Sequence, residues 1–386
     1  MDLSFSESQQ LLRKSARDFF HNECPKSLVR EMEKDENGCP PHLWKKMADL
    51  GWMGLIVPEK YGGVGGDYLD FVILVEEMGR ACLPAPFLIT ALGAMFLLEA
   101  GTEEQKTRLL PRIASGENIF TLALNEAESQ EDPGSIAVKA TLKGDSYLIN
   151  GIKLFVPFAH LADYMVCVAR TKRRTFNDDG ITLFLIDGKN PGISYTPLKT
   201  IAGDKQSEVV FDNVKVLKEN ILGQPHRGWP VAKNVLQKAA VAKAAELVGI
   251  AQQSLEMAVS YAKERVQFGR PIGSFQAIQH HCANMLIDVD GSKLMTYKAA
   301  WMLSEGLPCD IEVAAAKGYA SEACRRVTAL AQQVFGGIGV IVDHDMPLYY
   351  TRAKVAEVAF GDAKYHREAT IRRKLEQRVP KSWLLS

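Results

Sequence analysis

The apolar positions of this chain change period twice. From residue 6 to about 113 they recur at helical spacing, as in Leu11, Leu12, Ala16, Phe19 and Phe20, with Gly and Pro between the periodic runs. Further helices are predicted near Pro41, Asp67 and Thr102, where Thr102 and Gln105 have the spacing of a capping box. After Gly116 the segments 120–124, 136–142, 147–156, 164–169 and 181–186 are short, rich in β-formers and separated by turn residues. Gly144-Asp145 reads as a hairpin turn between two of them, and Val209-Val210-Phe211 as one more strand. Helical patterns return at about 229–267, 274–304, 309–334 and 346–375. The pattern predicts an α+β protein in three parts: a helical domain over 1–118, a compact antiparallel β domain, barrel or sandwich, over 119–225, and a four-helix bundle over 226–386. An apolar face carrying Val327, Ala331 and Val334 is expected to need a partner. No internal repeat, low-complexity run or long linker interrupts this order.

Composition narrows the function. The 386 residues carry 46 Lys plus Arg and 46 Asp plus Glu, so no net field draws the chain to nucleic acid or an anionic membrane. No apolar run reaches the roughly 18 residues that span a bilayer, and the start lacks a signal pattern, which predicts a cytoplasmic protein. Seven scattered cysteines form no CxxC pair and read as buried, reduced thiols. His280 and His281 are adjacent, so a helix would point them about 100° apart, and no HExxH occurs; no metal site is expected. Gly62-Gly63-Val64-Gly65-Gly66 fits neither a GxGxxG nor a P-loop pattern and reads as a flexible surface loop.

The stretch Arg265-Val-Gln-Phe268-Gly269-Arg-Pro-Ile-Gly-Ser274-Phe275-Gln276 holds a helix end, a glycine corner and a helix restart that Ser274 is placed to cap. Arg265 can grip a pyrophosphate through paired hydrogen bonds and Phe268 offers a flat face to a ring. The plainer alternative is an Arg on helix C-terminal carbonyls beside a core Phe.

With three further motifs, this string resembles the acyl-CoA dehydrogenase family of flavoproteins. The others are Val57-Pro58-Glu59-Lys60-Tyr61-Gly62-Gly63, the run Gly144-Asp145 through Asn150-Gly151-Ile-Lys153, and Gln333-Val-Phe335-Gly336-Gly337-Ile-Gly339. The resemblance implies FAD bound between the β domain and the helical bundle, an acyl-CoA substrate, a mostly tetrameric assembly, a role in fatty acid or lipid degradation, and an acceptor such as an electron-transfer flavoprotein. In the family one proton leaves the acyl chain and one hydride goes to the flavin, so the protein orients the thioester and supplies a carboxylate.

Here the chain departs from the family. Phe360, in Val358-Ala-Phe360-Gly361-Asp362, stands at one position of the family's Glu base and Ala239 at the other; neither side chain accepts a proton. Glu246 is seven residues past Ala239 on the same helix face, roughly 10 Å along the axis. It is the candidate base, or else a structural carboxylate paired with Lys243. Asp362 is the runner-up. The strings that cradle the flavin ring are altered: Asn125-Glu126-Ala127-Glu128-Ser129-Gln-Glu-Asp132 replaces a glycine-rich run, and Phe155-Val156-Pro157 replaces Trp-Ile-Thr. By contrast Arg265, Phe268, Phe275, Gln276, Gln333, Gly336 and Gly337, which in the family hold the ADP half of a neighbour's FAD, are intact. The asymmetry points either to a homo-oligomer or to one member of an α2β2 enzyme of the kind that degrades sterol side chains. A catalytically degenerate partner subunit and a same-fold flavin monooxygenase or nitroalkane oxidase remain alternatives.

Overall fold

The structure is a computed structural model that describes residues 5–128, 133–172 and 179–378. Its first half runs α1 (Glu7–Glu23), α2 (Lys26–Lys34), α3 (Pro41–Asp49), α4 (Tyr68–Ala81), α5 (Phe87–Ala100) and α6 (Glu103–Ala114). Strands follow: β1 (Phe120–Ala123), β2 (Lys139–Lys143), β3 (Ser146–Pro157), β4 (Tyr164–Arg170), β5 (Ile181–Asp187), β6 (Ile193–Leu198), β7 (Gln206–Leu217) and β8 (Ile221–Leu222). The last part holds α7 (Trp229–Glu264), a hairpin of β9 (Val266–Gln267) and β10 (Arg270–Pro271), then α8 (Gln276–Ser304), α9 (Asp310–Phe335), α10 (Met346–Val358) and α11 (Ala363–Arg378). Contacts divide these elements into two compact units. One joins the chain up to Val29 and Tyr68–Leu83 to everything from Gln237 onward; the other comprises Arg30–Asp67 and Pro84–Leu236.

In the helical unit, α1 starts where Ser6 and Gln9 close a capping box. Its stripe is buried at Ala16 and Phe20, while Leu11 faces outward. α4 and α7 cross with no room for a side chain. A Cβ on Gly79 would lie 2.2 Å from the Glu246 carbonyl oxygen, and one on Gly249 would lie 2.0 Å from that of Glu76. Beside this crossing Arg13 and Arg17 neutralise the buried Glu77, and Tyr297 donates its hydroxyl to Glu76. Val327, Ala331 and Val334, expected to await a partner, are buried within the chain. The exposed apolar face lies instead on α8, at Leu286, Ile287 and Leu294.

The expected single helix over 346–375 is two helices. Phe360 and Gly361 adopt φ of 56° and 92°, a left-handed pair that no helix continues through, so α10 ends and α11 begins afresh. Among the described residues the bundle therefore has one helix more than the four predicted.

In the other unit, Thr102 and Gln105 form the expected capping box at α6. The sheet runs β6-β7-β3-β2-β4-β5-β8, with β1 alongside β4. Gly144-Asp145 is the two-residue turn of the β2–β3 hairpin, with Gly144 at φ 61°. Alternate residues such as Tyr147, Ile149, Cys167, Phe184 and Phe211 fill one core. The sheet is not wholly antiparallel as predicted. β1 runs parallel to β4, because the whole β2–β3 hairpin intervenes and returns the chain in the same direction. The glycine-rich run at 62–66 is also not a loose loop: Val64, Gly65 and Gly66 donate to the carbonyls of Gly54, Val57 and Leu55, and a Cβ on Gly63 would lie 2.0 Å from the Val57 oxygen. No described helix is long and apolar enough to cross a membrane.

Candidate functional site

The corner read from the sequence is a tight hairpin. α7 stops at Glu264, the Arg265 amide donates to the Tyr261 carbonyl, and β9 pairs with β10 around Phe268-Gly269. Both turn residues have positive φ, 52° and 77°. That conformation suits glycine and costs a phenylalanine roughly 1–2 kcal/mol. The strained Phe268 is 92% exposed, so it is not the core residue of the plainer alternative. Its ring meets Phe275 edge-on at 6.1 Å, and the Arg270 guanidinium lies 4.3 Å over the Phe275 ring. Arg265 is exposed, and its guanidinium has no hydrogen-bond or ion-pair partner among the described residues. Gln276 is exposed as the first residue of α8. Ser274, expected as the cap of that helix, is not: its hydroxyl donates to the Pro271 carbonyl at 2.7 Å, and Phe275 takes the N-cap position without a side-chain bond.

The late glycine turn sits at the same end of the unit, since the rings of Tyr261 and Phe335 lie 4.6 Å apart. Gln333 is exposed. Gly336 closes α9 with φ 65° and ψ −140°, a region only glycine enters readily. Gly337 has no such need, yet a Cβ there would meet nothing within 4 Å. An exposed ring, an unpartnered guanidinium and an unobstructed glycine backbone fit the flat and anionic parts of a dinucleotide.

In the β-sheet unit, Asn125, Phe155 and Pro157 come together through the Leu154 amide, which donates to the Asn125 carbonyl at 2.9 Å. Phe155 occupies a register shift in β3 with φ 54° and is half-exposed. Pro157 pairs with Gln206 of β7 and accepts from the Thr121 hydroxyl. The substituted string lies partly outside the described residues, at Ser129 to Asp132. Its described end carries a buried pair that sequence reasoning missed. Lys153 Nζ lies 2.6 Å from Glu126 and 2.8 Å from the Leu124 carbonyl, while Glu126 also accepts from the amides of Ala137 and Val138.

The proton-acceptor candidates differ in their engagement. Glu246 Oε2 lies 2.6 Å from Lys243 Nζ, with a quarter of its side chain exposed. The ion pair that a structural Glu246 would make is thus present. Asp362 caps α11: its Oδ1 accepts from the Tyr365 amide at 2.8 Å. Ala239 is fully buried and Phe360 partly so.

Beneath the Phe360-Gly361 turn lies a second missed cluster. Lys317, wholly buried on α9, donates to Ser321 Oγ and to the carbonyls of Glu357 and Gly361 at 2.8–2.9 Å. His366 lies 2.9 Å from the Phe360 carbonyl through Nε2. Burial, then the Lys317 cation, pushes the His366 imidazole down from 6.5 to about 4. A histidine kept neutral on folding binds its proton more readily when unfolded, so stability is lost as pH falls between those values. The full loss is about 3 kcal/mol. The melting temperature is therefore expected to fall between pH 6.5 and 4 more steeply in the wild type than in His366→Gln, which thermal melts across that range would check. The sequence signal was a lysine within the buried stripe Val313, Ala316, Ala320, Cys324, where solvated cations do not belong.

Family models cover nearly the whole chain: the acyl-CoA dehydrogenase N-terminal domain over residues 6–117, its middle domain over 121–214 and its C-terminal domain over 226–375. The chain is 35% identical to a 3-(aryl)acrylate reductase of Clostridium sporogenes over 93% of this chain and 96% of that one. It is likewise 35% identical to a short-chain specific acyl-CoA dehydrogenase of Clostridium acetobutylicum, over 94% and 97%. Among solved structures, a chain of the ChsE4-ChsE5 complex from Mycobacterium tuberculosis superposes with a TM-score of 0.89 at 30% identity, covering 98% of this chain and all of that one.

Proposed function

The chain belongs to the acyl-CoA dehydrogenase family, FAD-dependent oxidoreductases that act on the CH–CH bond of acyl-CoA, and on that premise we propose how it works. Its corner of Arg265, Phe268, Phe275 and Gln276, with Gln333, Gly336 and Gly337, grips the adenosine diphosphate half of FAD at a seam between protomers. The observation that carries this is the 92% exposed Phe268 beside an unpartnered Arg265: its left-handed backbone is strained, and strain of that kind clusters at ligand-binding sites. Asn125, Phe155 and Pro157 line the ring end of a flavin. FAD, when bound, supplies the acceptor for the hydride that leaves the β-carbon.

Glu246 takes the α-proton on its carboxylate, because Phe360 and Ala239 vacate the two positions where the family carries its base. Asp362 ranks below it, its oxygen being committed to the first turn of α11. The intact corner beside altered ring-side strings favours an α2β2 assembly, in which this chain completes a flavin site on a sister subunit. The likeness to a chain of the mycobacterial complex supports that reading, and the apolar α8 face at Leu286, Ile287 and Leu294 offers the surface on which protomers pack.

Purified chain, alone and mixed with candidate sister chains, is expected to retain flavin whose visible band bleaches on addition of a saturated acyl-CoA. Arg265→Gln removes charged hydrogen bonds of about 1.5–3 kcal/mol, which weakens flavin retention roughly 10- to 100-fold. Protein that holds no flavin in either preparation, or an Arg265→Gln variant that holds it as tightly as wild type, would sink the reading.

A further inference from the structure

Three carbonyls, one in the last turn of α10 and two in its connection to α11, converge on one buried cluster. Glu357 and Gly361 accept from the Lys317 ammonium, and Phe360 accepts from the neutral His366 ring at Nε2. Ser321 Oγ, itself fully buried, lies 2.9 Å from Lys317. α11 is drawn close enough that a Cβ on Gly318 would lie 3.4 Å from that of His366. Peptide planes are trans, so turning the oxygens of Phe360 and Gly361 inward turns the amides of Gly361 and Asp362 outward. Neither amide has a backbone acceptor among the described residues. The turn is therefore held in its left-handed pair by two side chains from outside it, with its acceptors satisfied below and its donors facing away.

A buried ammonium is an expensive way to stabilise a fold, and a well-packed apolar residue would often serve as well. What it adds is definition: the cation fixes carbonyl directions that packing alone leaves free. The turn so fixed carries Phe360, at the position where the family places its base. We propose that Lys317 and His366 are positioning residues for the acyl-CoA reaction, a clasp that fixes the Phe360–Asp362 turn against which the acyl thioester is held. This rests on the functional reading above. Neither residue touches substrate; both act through the backbone they hold.

The test compares wild type with Lys317→Met, His366→Leu, His366→Gln and the milder Ser321→Ala, each as assembled holoenzyme. Lys317→Met is expected to lower kcat at least about tenfold, the scale of one lost charged hydrogen bond, and His366→Leu roughly three- to tenfold, the scale of a neutral one, with KM little changed in either. Hydrogen exchange should quicken in the peptide spanning 355–366 and not elsewhere. His366→Gln keeps an N–H donor for the Phe360 carbonyl and should recover most of the rate; Ser321→Ala, which removes one acceptor, should lie between. Unchanged kcat in folded variants, exchange that quickens throughout the chain, or a glutamine variant as impaired as the leucine one would overturn the proposal. If Lys317→Met fails to fold, the two histidine variants and Ser321→Ala decide it. An inactive wild type would sink the functional reading instead, while the exchange measurement still tests the clasp.

Discussion

Glu246→Gln is expected to lower kcat by roughly 100-fold or more, the range typical of losing a general base, while flavin content and fold stay as in the wild type. The substitution is nearly isosteric, and Lys243 can still donate to the amide oxygen, so α7 should keep its packing at the Gly79 crossing. What is lost is the carboxylate that we propose as the acceptor of the α-proton. The matching control is Asp362→Asn. Its side-chain oxygen can still accept from the Tyr365 amide, so the α11 cap survives and turnover should stay near wild type. Steady-state kinetics on both variants separates the candidates. Unchanged kcat in Glu246→Gln would remove Glu246 from the mechanism and leave its ion pair with Lys243 as its whole role, and a collapse in Asp362→Asn alone would reverse the ranking.

Lys153→Met is expected to destabilise the β-sheet unit by about 3–5 kcal/mol, the usual result of stranding one member of a buried ion pair. Lys153 is fully buried and Glu126 nearly so. With the ammonium gone, Glu126 keeps only the amides of Ala137 and Val138, and the Leu124 carbonyl loses its donor. The melting temperature should fall by on the order of 10 °C. Adding Glu126→Gln removes the stranded charge, so the double variant should melt above Lys153→Met alone. If the single variant melts with the wild type, or the double melts lower still, desolvation of Glu126 is not the governing term. The pair also fixes the end of β3 that carries Phe155 and Pro157, so flavin retention should drop in the single variant and partly return in the double.

The candidate site was legible to different depths in different places. At 265–276 the break signals Gly269 and Pro271 sit next to a cation and two aromatics, and local propensity alone predicts a corner; the structure added Arg270 over Phe275 and moved the cap from Ser274 to Phe275. The β2–β3 hairpin and the Thr102 capping box were equally local, settled within a few residues. The parallel seating of β1 was not, because strand direction depends on what intervenes rather than on the strand. The break at Phe360-Gly361 was missed for a related reason. The apolar period runs on through it, and the contacts of Lys317 and His366 with the turn's carbonyls join parts of the chain that no local pattern links. Lys317 and Lys153 are ordinary lysines in the sequence; burial and partners hundreds of atoms away make them structural cations.

By itself the sequence determined the two kinds of period, the order of helices and strands, and the family, because each depends on residue identity and spacing over short stretches. The tertiary structure alone decided which faces are covered, as with Val327 inward and Leu286 outward, and which charges are buried and paired, as with Lys153 and Glu126. Burial and pairing are sums over neighbours distant in the chain, and no local pattern encodes them.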